Sequence, residues 1–190
     1  MSITIAQLQE KLISIIDTEI NQPKTKNKGE TGLLLETLTG IPHTSNALDC
    51  LDGELKTFPL KKLITGSIVA KETLAVTMLS KDSLKDDDFA SSKVYNKMKR
   101  MLVVPYQRNG DIIIYKKPVL IDFTEEKYQA LILMIENDYK IIREKYLADG
   151  TLKSEDGKYL QNRTKGTGHG SKTRAFYLRP QFMNEFVLNS

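Results

Sequence analysis

Residues 49–56 read Asp49-Cys50-Leu51-Asp52-Gly53-Glu54-Leu55-Lys56. The Asp-Gly pair is typical of a tight turn, and the residues that follow it have the composition of a short strand. Because side chains alternate between the two faces of a strand, Glu54 and Lys56 project together while Leu55 points into the core. Asp49 lies just upstream and can reach the face that carries Glu54. The stretch therefore predicts a strand whose start gathers two carboxylates and an amine.

Two carboxylates beside an amine form a hard, oxygen-rich site that suits Mg²⁺ better than zinc. Asp49 and Glu54 would hold the ion, helped by the backbone carbonyl of Leu55. Phosphodiester hydrolysis needs a nucleophilic water, and a bound divalent ion lowers the pKa of such a water from about 15.7 towards 7. Lys56 would orient this water and stabilise its hydroxide form. Asp52 remains open as the first acid in place of Asp49, although its position before Gly53 fits a turn better.

An acid followed by Glu-x-Lys at a strand edge is the metal site of one large class of DNA-cutting enzymes. The tripeptide alone is common, and on many strands it is only a solvent-facing charge pair. The interpretation as a nuclease site therefore depends on whether other segments of the chain agree with it.

The charge distribution favours a polyanionic partner. The chain has 190 residues, enough for one domain with a sizeable core, and a formal net charge of +4. The segment 157–184 is rich in Gly, Ser and Thr and contains no Asp or Glu. Its basic residues are Lys158, Arg163, Lys165, Lys172, Arg174 and Arg179. Such a segment suits the surface of a nucleic acid, and the alternative is a solvated loop with clustered charge.

The cysteine and histidine counts and the apolar pattern argue against disulfide-bonded, zinc-binding and membrane-spanning proteins. Cys50 is the only cysteine, so no intramolecular disulfide can form and a reducing, cytoplasmic location is expected. We expect Cys50 to be a packed thiol rather than a nucleophile. His43 and His169 are the only histidines, too few for a conventional zinc site. The longest apolar run, 130–135, is too short to span a membrane, and no secretion signal precedes it.

Hydrophobic spacing and turn residues predict alternating helices and strands. A capping box at Thr4 and Gln7 opens a first helix whose apolar stripe continues to Ile20. Further helices are expected at 29–39, 91–99, 124–147 and 181–188. Strands are expected at 73–79, 101–106, 111–115 and 176–178, with Asn109-Gly110 as a hairpin signal. The segment 81–88 is expected to be a charged loop.

Several distant segments resemble one family in the same order along the chain. The similarity begins at Lys28-Gly29 and runs to the end of the chain near Leu188. Its parts are Gly32-Leu33-Leu34-Leu35-Glu36, Gly40, Ser45, Asp49, Gly53-Glu54-Leu55-Lys56-Thr57, Pro59, Lys97-Met98-Lys99-Arg100, Pro105, Tyr159-Leu160-Gln161-Asn162-Arg163-Thr164-Lys165 and Phe176-Tyr177-Leu178. On these motifs the chain resembles the MutH family of methyl-directed mismatch-repair endonucleases and the related restriction enzymes that cut GATC.

The resemblance implies a fold and a set of site residues. The fold would be a restriction-endonuclease-like α/β core of the PD-(D/E)xK type, a mixed sheet flanked by helices, with a DNA-binding cleft between two subdomains of one domain spanning 1–190. Asp49, Glu54 and Lys56 would be the metal and catalytic residues, supported by Glu36 and Lys97. In the basic segment, Arg163 and Lys165 match a loop that contacts the target, and Tyr177 matches an aromatic that senses the adenine methyl position. Lys172 and Arg174 are the other expected DNA-binding residues.

Two features depart from the family pattern. The interval from Asp49 to Glu54 is two residues shorter than in the repair enzymes, which leaves the first acid open between Asp49 and Asp52. The loop Gly166-Thr167-Gly168-His169-Gly170 is compact, so its base contacts can differ.

The sequence is compatible with three functions. The first is a Mg²⁺-dependent type II restriction enzyme that recognises GATC in double-stranded DNA. The second is a mismatch-repair nicking endonuclease, which a MutL-like partner would activate. A composition rich in Lys, Ile and Asn suggests an AT-rich genome and favours restriction. The third is a non-catalytic DNA-binding module on the same scaffold, against which the intact Asp49, Glu54 and Lys56 argue.

Overall fold

The computed structural model describes residues 3–24, 29–42, 47–165 and 173–189. Within it the chain divides into two compact units. The first unit consists of residues 1–72 and 100–121, and the second of residues 73–99 and 122–189. The sequence leaves and re-enters the first unit, so each unit is built from two separate stretches of chain.

The first unit is built on a mixed sheet. Its helices are α1 (Ile5–Leu12) and α2 (Glu30–Thr39), and its strands are β1 (Ile20–Asn21), β2 (Glu54–Lys62), β3 (Ile68–Ala70), β5 (Arg100–Asn109), β6 (Ile112–Tyr115) and β7 (Val119–Asp122). The strand order is β1-β6-β5-β2-β3, and β7 also pairs with β5. The strand β2 runs parallel to β5, with Glu54 opposite Met101 and Lys56 opposite Val103. The strands β1, β3 and β6 are antiparallel to their partners.

One hydrophobic cluster joins the helices of the first unit to its sheet. Two side chains of β5, Leu102 and Val104, pack with Leu55 of β2. The helices contribute Ile5, Leu8, Leu12 and Leu35 to the same cluster. Leu55 is the inward-facing residue of Glu54-Leu55-Lys56, as the strand alternation predicted.

The second unit is built on a three-stranded antiparallel sheet in the order β4-β9-β8. Its strands are β4 (Leu74–Met78), β8 (Leu160–Thr164) and β9 (Arg174–Leu178). Its helices are α3 (Lys81–Asp86), α4 (Lys93–Met98), α5 (Gln129–Asp149) and α6 (Pro180–Met183), with a 3₁₀ turn at Glu126–Tyr128 and a π-helical turn at Asn184–Leu188. Among the described residues, no helix combines the length and apolar character needed to cross a membrane.

The predicted α/β class with a mixed sheet flanked by helices is confirmed. The capping box at Thr4 and Gln7 is present, and Gly40 ends α2 in the left-handed conformation. The Asn109-Gly110 hairpin joins β5 to β6, with Asn109 opposite Ile112. These features depend on residues close together in sequence, where turn and capping chemistry act directly.

The first helix is shorter than predicted, and the expectation that it reaches Ile20 was wrong. It ends at Leu12, after which the chain turns and the backbone N–H of Asp17 donates to the carbonyl of Tyr115 at 2.9 Å. Asp17 has a φ of 60°, in the left-handed region that a helix cannot continue through. Ile20 then opens β1 opposite Ile113. Ile15, Ile16 and Ile20 still pack on the core, so hydrophobic spacing alone did not mark the end of the helix.

Three further boundaries differ from the prediction. The expected charged loop at 81–88 contains α3, because Ser80 caps the backbone N–H of Ser83 and Leu84 is buried. The long helix begins at Gln129 rather than Thr124, since the 3₁₀ turn precedes it. Arg163, expected in a loop, lies on β8, which pairs with β9 along its whole length.

A buried carboxylate on α5 fixes the chain as it enters β8. Asp138 is 3% exposed and accepts hydrogen bonds from the backbone N–H groups of Lys158 at 2.7 Å, Tyr159 at 2.7 Å and Leu160 at 2.9 Å. Three N–H donors on one carboxylate satisfy a group that would otherwise be costly to bury. The position of β8, and with it that of Arg163, therefore depends on Asp138.

We expect Asp138→Asn to lower the free energy of unfolding by about 1–3 kcal/mol, because an amide turns N–H groups towards N–H donors. Urea denaturation at neutral pH measures this change. Glu136→Gln on the same helix is the control, since Glu136 forms a surface i,i+4 ion pair with Lys140. The free energy of unfolding of this control should fall by no more than about 0.5 kcal/mol. Equal losses in the two variants would show that Asp138 is not the anchor of β8.

Candidate active site

A four-residue turn brings the two predicted carboxylates together. The backbone N–H of Cys50 donates to the carbonyl of Gly53 at 3.0 Å, and the two residues form an isolated β-bridge. A Cβ atom on Gly53 would lie 2.7 Å from the carbonyl oxygen of Arg100 and 2.9 Å from Cγ1 of Ile5. Only glycine allows this close approach of the turn to β5 and α1. The turn places Asp49 beside the first residues of β2.

Main-chain N–H groups link the segment that carries Asp49 to the segment that carries Glu54. The backbone N–H of Leu55 donates to Oδ2 of Asp49 at 3.1 Å. The backbone N–H of Asp49 donates in return to Oε2 of Glu54 at 3.4 Å, a longer and weaker bond. These reciprocal bonds orient both carboxylates at the start of β2.

Lys56 and Glu54 form an ion pair on one face of β2. The Nζ atom of Lys56 lies 2.6 Å from Oε1 of Glu54, and the side chains are 17% and 2% exposed. The burial of the Glu54 carboxylate is thus compensated by a cation and by the hydrogen bond from the N–H of Asp49. The predicted convergence of Glu54 and Lys56 is therefore present in the structure.

The carbonyl of Leu55 lies along the same strand edge as Asp49. In an extended strand the N–H and C=O groups of one residue leave by the same edge. Since the N–H of Leu55 is directed at Asp49, its carbonyl also leaves β2 on that side. The role of the Leu55 carbonyl as a third oxygen ligand stays a prediction.

The donor set fits a hard divalent cation. It consists of the carboxylates of Asp49 and Glu54 and the carbonyl of Leu55, all oxygen donors of the kind that Mg²⁺ binds together with water. Across the described ranges, no three His, Cys, Asp or Glu side chains are grouped to hold an ion by themselves. An ion here would therefore keep several water ligands, which is the usual condition of Mg²⁺ in proteins.

The pKa of the Cys50 thiol reflects the negative charge of the site. Its thiol is 3% exposed. Burial, and then the charges of Asp49, Asp52 and Glu54, raise the pKa of the thiol to about 12. At neutral pH the thiol is therefore protonated and a poor nucleophile, in agreement with its prediction as a packed residue.

Asp52 has a structural position in this arrangement. Its Oδ1 atom accepts a hydrogen bond at 2.7 Å from the backbone N–H of Ile5, the first residue of α1. Its Oδ2 atom forms an ion pair with Nη1 of Arg100, the first residue of β5. Both oxygens are thus engaged with structural partners, whereas Asp49 is oriented towards β2.

The two expected supporting residues lie in different units. Glu36 is half-buried on α2 in the first unit, one helical turn after Gly32, which faces Oγ1 of Thr57 on β2. Lys97 is half-buried on α4 in the second unit, three residues before β5 begins at Arg100. Their roles remain predictions that follow from the resemblance.

The expected DNA-binding residues cluster on β8 and β9 of the second unit. The guanidinium carbon of Arg163 lies 5.8 Å from the ring centroid of Tyr177, within the range of a cation–π contact. The backbone N–H of Lys165 donates to the carbonyl of Thr173 at 2.8 Å and extends the pairing beyond β8. Arg174 is held by Asn162, and burial lowers the pKa of its guanidinium from the ordinary value. Lys172 and the compact loop 166–170 lie outside the described residues.

Sequence reasoning missed the anchoring role of Arg100. The residue belongs to the motif Lys97-Met98-Lys99-Arg100, and its position directly before an apolar strand was the available signal. Its partner Asp52 lies 48 residues upstream, a separation that no local pattern predicts.

Both the sequence and the structure have counterparts among known proteins. The model of the family described as DNA mismatch repair enzyme MutH matches residues 43–144, more than half of the chain. One similar solved structure is the complex of the restriction endonuclease MvaI with its cognate DNA substrate. It shares 16% sequence identity and a TM-score of 0.49, covering 98% of this chain and 97% of that chain. None of the curated proteins matches the sequence.

We expect Asp52→Asn to destabilise the protein by about 1–3 kcal/mol, because Arg100 loses its carboxylate and the helix α1 loses a charged acceptor. Asp49→Asn should change the free energy of unfolding by less than about 1 kcal/mol, since an amide oxygen can still accept from Leu55. Chemical denaturation without divalent ions measures both. A larger loss for Asp49→Asn would contradict the structural role given to Asp52.

Proposed function

The chain belongs to the MutH family, and from that premise we propose that it is a Mg²⁺-dependent endonuclease that cuts double-stranded DNA at a specific sequence. Membership supports a DNA endonuclease, and it agrees with the mixed sheet flanked by helices, so the predicted restriction-endonuclease-like core is confirmed. The ion, the target and the biological role are the proposed parts.

The observation that carries the proposal is the placement of Asp49, Glu54 and Lys56 at the start of β2. Two carboxylates are oriented there by reciprocal main-chain hydrogen bonds, with an ammonium group 2.6 Å from one of them. The three residues lie within the segment that the family model matches. Because Asp52 is engaged with Ile5 and Arg100, we propose Asp49 as the first acid.

The side chains have distinct tasks in phosphodiester hydrolysis. Asp49, Glu54 and the carbonyl of Leu55 would hold Mg²⁺, which supplies Lewis acidity towards the phosphate and the acidification of water when it is bound. Lys56 places a positive charge beside Glu54, where it can orient the attacking water and stabilise its hydroxide form. Glu36 and Lys97 are proposed as supporting residues.

Target reading is proposed for β8 and β9. Arg163 is exposed and its guanidinium is positioned beside Tyr177, so the pair presents a cation and a flat ring together. Lys165 follows directly after β8 and adds a further positive charge. Lys172 and Arg174 complete the proposed DNA-binding set. The proposed target is GATC, with Tyr177 near the adenine methyl position.

For the biological role we propose restriction over mismatch repair, on the basis of the Lys-, Ile- and Asn-rich composition. A restriction enzyme cuts both strands and accompanies a protective methyltransferase, whereas a repair enzyme nicks one unmethylated strand after activation by a MutL-like partner. Digestion of unmethylated, hemimethylated and fully methylated GATC duplexes with the purified protein separates the two roles. Single-strand nicking that requires an added activator would establish the repair role instead.

We expect divalent ions to raise the melting temperature of the wild-type protein, because an ion that binds only the folded state stabilises it by about 2.7 kcal/mol at 100 times its Kd. Asp49→Asn and Glu54→Gln should lose this stabilisation with Ca²⁺ or Mg²⁺. Lys56→Met should retain it, since the variant removes a positive charge from the neighbourhood of the ion. Thermal unfolding with and without each ion measures the difference.

All three variants should lose cleavage by about 100-fold or more while duplex binding in Ca²⁺ is largely retained. Lys61→Met on the exposed end of β2 is the matched control and should cleave normally. Near-normal cleavage by Glu54→Gln or Lys56→Met would refute the assignment. Ion stabilisation that survives Asp49→Asn but not Asp52→Asn would move the first ligand to Asp52.

For target reading, we expect Arg163→Gln to weaken binding to GATC more than binding to a scrambled duplex. An arginine that reads guanine contributes about 1–3 kcal/mol of discrimination. Lys165→Gln should weaken both duplexes alike and flatten the salt dependence, as a phosphate contact does. Tyr177→Ala should change the ratio of binding to adenine-methylated and unmethylated sites more than it changes total binding. Equal wild-type affinity for all duplexes, with random cleavage, would indicate a nonspecific nuclease.

A further inference from the structure

A polar groove lies beside β8, the outer strand of the three-stranded sheet in the second unit. Its cavity has a volume of about 460 Å³, against about 30 Å³ for one water in the liquid. Arg163, Arg174 and Arg179 line it, together with Thr164. Glu155 is the acidic residue in this lining, so the groove carries two net positive charges.

Neutral oxygens fix two of the three guanidinium groups. Arg174 donates through Nε to the side-chain oxygen of the fully buried Asn162 at 2.7 Å, and through Nη2 to the carbonyl of Asn162 at 3.4 Å. Arg179 donates through Nε to the carbonyl of Gly157 at 3.1 Å, and through Nη2 to that of Ser154 at 2.8 Å. These bonds hold both planes at defined positions in the wall of the groove.

The same bonds leave one nitrogen of each fixed guanidinium available. Among the described residues, no hydrogen bond uses Nη1 of Arg174 or Arg179, and neither arginine has a carboxylate within ion-pair distance. Glu155 acts on Arg174 through space, without an ion pair. A partly buried cation whose hydrogen bonds all go to neutral oxygens still gains from an external anion. Arginine groups held in a fixed plane are suited to the oxygens of a phosphate group.

We propose that this groove is a phosphate subsite, in which Arg174 and Arg179 bind a phosphate group from the wall, while Arg163 at the rim stays available for a base edge. The assignment gives Arg174 a sequence-independent contact rather than a contact to a base edge, because its guanidinium is already fixed by Asn162. Arg179, which the resemblance did not mark, becomes part of the DNA-binding surface.

The inference rests on the proposed function for the origin of the phosphate. A phosphate of the DNA backbone fits the position beside Arg163 and Lys165, the residues proposed to read the target. Free orthophosphate has the same chemistry and is the second possible source. Duplex DNA and orthophosphate are therefore tested separately.

The first test adds a negative charge to the groove without removing an anchor. Thr164 is exposed and lines the groove, so Thr164→Glu places a carboxylate among the arginines while every arginine bond is retained. Leu133→Glu on the exposed face of α5 adds the same charge in the same unit outside the groove and is the matched control. Melting temperatures confirm that both variants are folded.

Duplex binding in Ca²⁺ is then measured over a range of salt concentrations. Each phosphate contact contributes about 0.9 to the slope of log K against log salt concentration. Thr164→Glu should reduce this slope by about one and weaken GATC and scrambled duplexes by the same factor. Arg179→Gln should act in the same direction, and Leu133→Glu should leave the slope unchanged.

Orthophosphate provides the second test, which does not depend on DNA binding. At equal ionic strength, sodium phosphate should raise the wild-type melting temperature above the value in sodium chloride, and Thr164→Glu should abolish the difference. A phosphate effect that Thr164→Glu removes, together with an unchanged DNA slope, would identify free phosphate as the ligand.

The proposed function and the subsite fail in different ways. Absence of all wild-type DNA binding would count against the endonuclease, while the orthophosphate result would still decide the subsite. Normal duplex binding by Thr164→Glu, with an unchanged slope and no phosphate stabilisation of the wild-type protein, would overturn the subsite and leave the endonuclease intact.

Discussion

The carboxylate of Asp52 ties three segments of the first unit together, and the arrangement of the site depends on it. Its two oxygens bind the first backbone N–H of α1 and the guanidinium that opens β5. These contacts fix the turn between Asp49 and Glu54. The turn then holds both carboxylates where they accept hydrogen bonds from each other's segment. An acidic residue placed beside other acids is thus stabilised by an arginine and a helix N-terminus, which together engage both of its oxygens.

The same contacts explain how a shorter interval can still assemble the site. A four-residue turn closed by Cys50 and Gly53 is among the tightest ways to reverse a chain, and it leaves Asp49 next to β2. Gly53 is required because the turn touches the carbonyl of Arg100. The sequence leaves Asp49 and Asp52 as alternatives, and the proposal of Asp49 rests on the partners of Asp52, which are far away in sequence.

Local chemistry was predictable and distant partners were not. The capping box at Thr4 and the Asn109-Gly110 hairpin act over a few residues, so their patterns were sufficient. The end of α1 depends on the bond from Asp17 to Tyr115, and β8 depends on Asp138 of α5 and on pairing with β9. For the site, strand alternation predicted that Glu54 and Lys56 meet, whereas the roles of Arg100 and Asn162 arose only from tertiary contacts.

The three arginines of the groove, Arg163, Arg174 and Arg179, differ in the hydrogen bonds that they make within the protein. Arg174 and Arg179 have two nitrogens each committed to protein oxygens, so their remaining donors are fixed in direction. Fixed donors suit a repeated feature of DNA, the phosphate, whose position hardly depends on sequence. Arg163 is exposed and its guanidinium lies over the ring of Tyr177, so it can adjust to the edge of a particular base. Positioning of the protein on the DNA and reading of its bases would then be carried out by different arginines of the second unit. Arg174 and Arg179 would fix the position on the backbone from which the exposed Arg163 contacts a base edge.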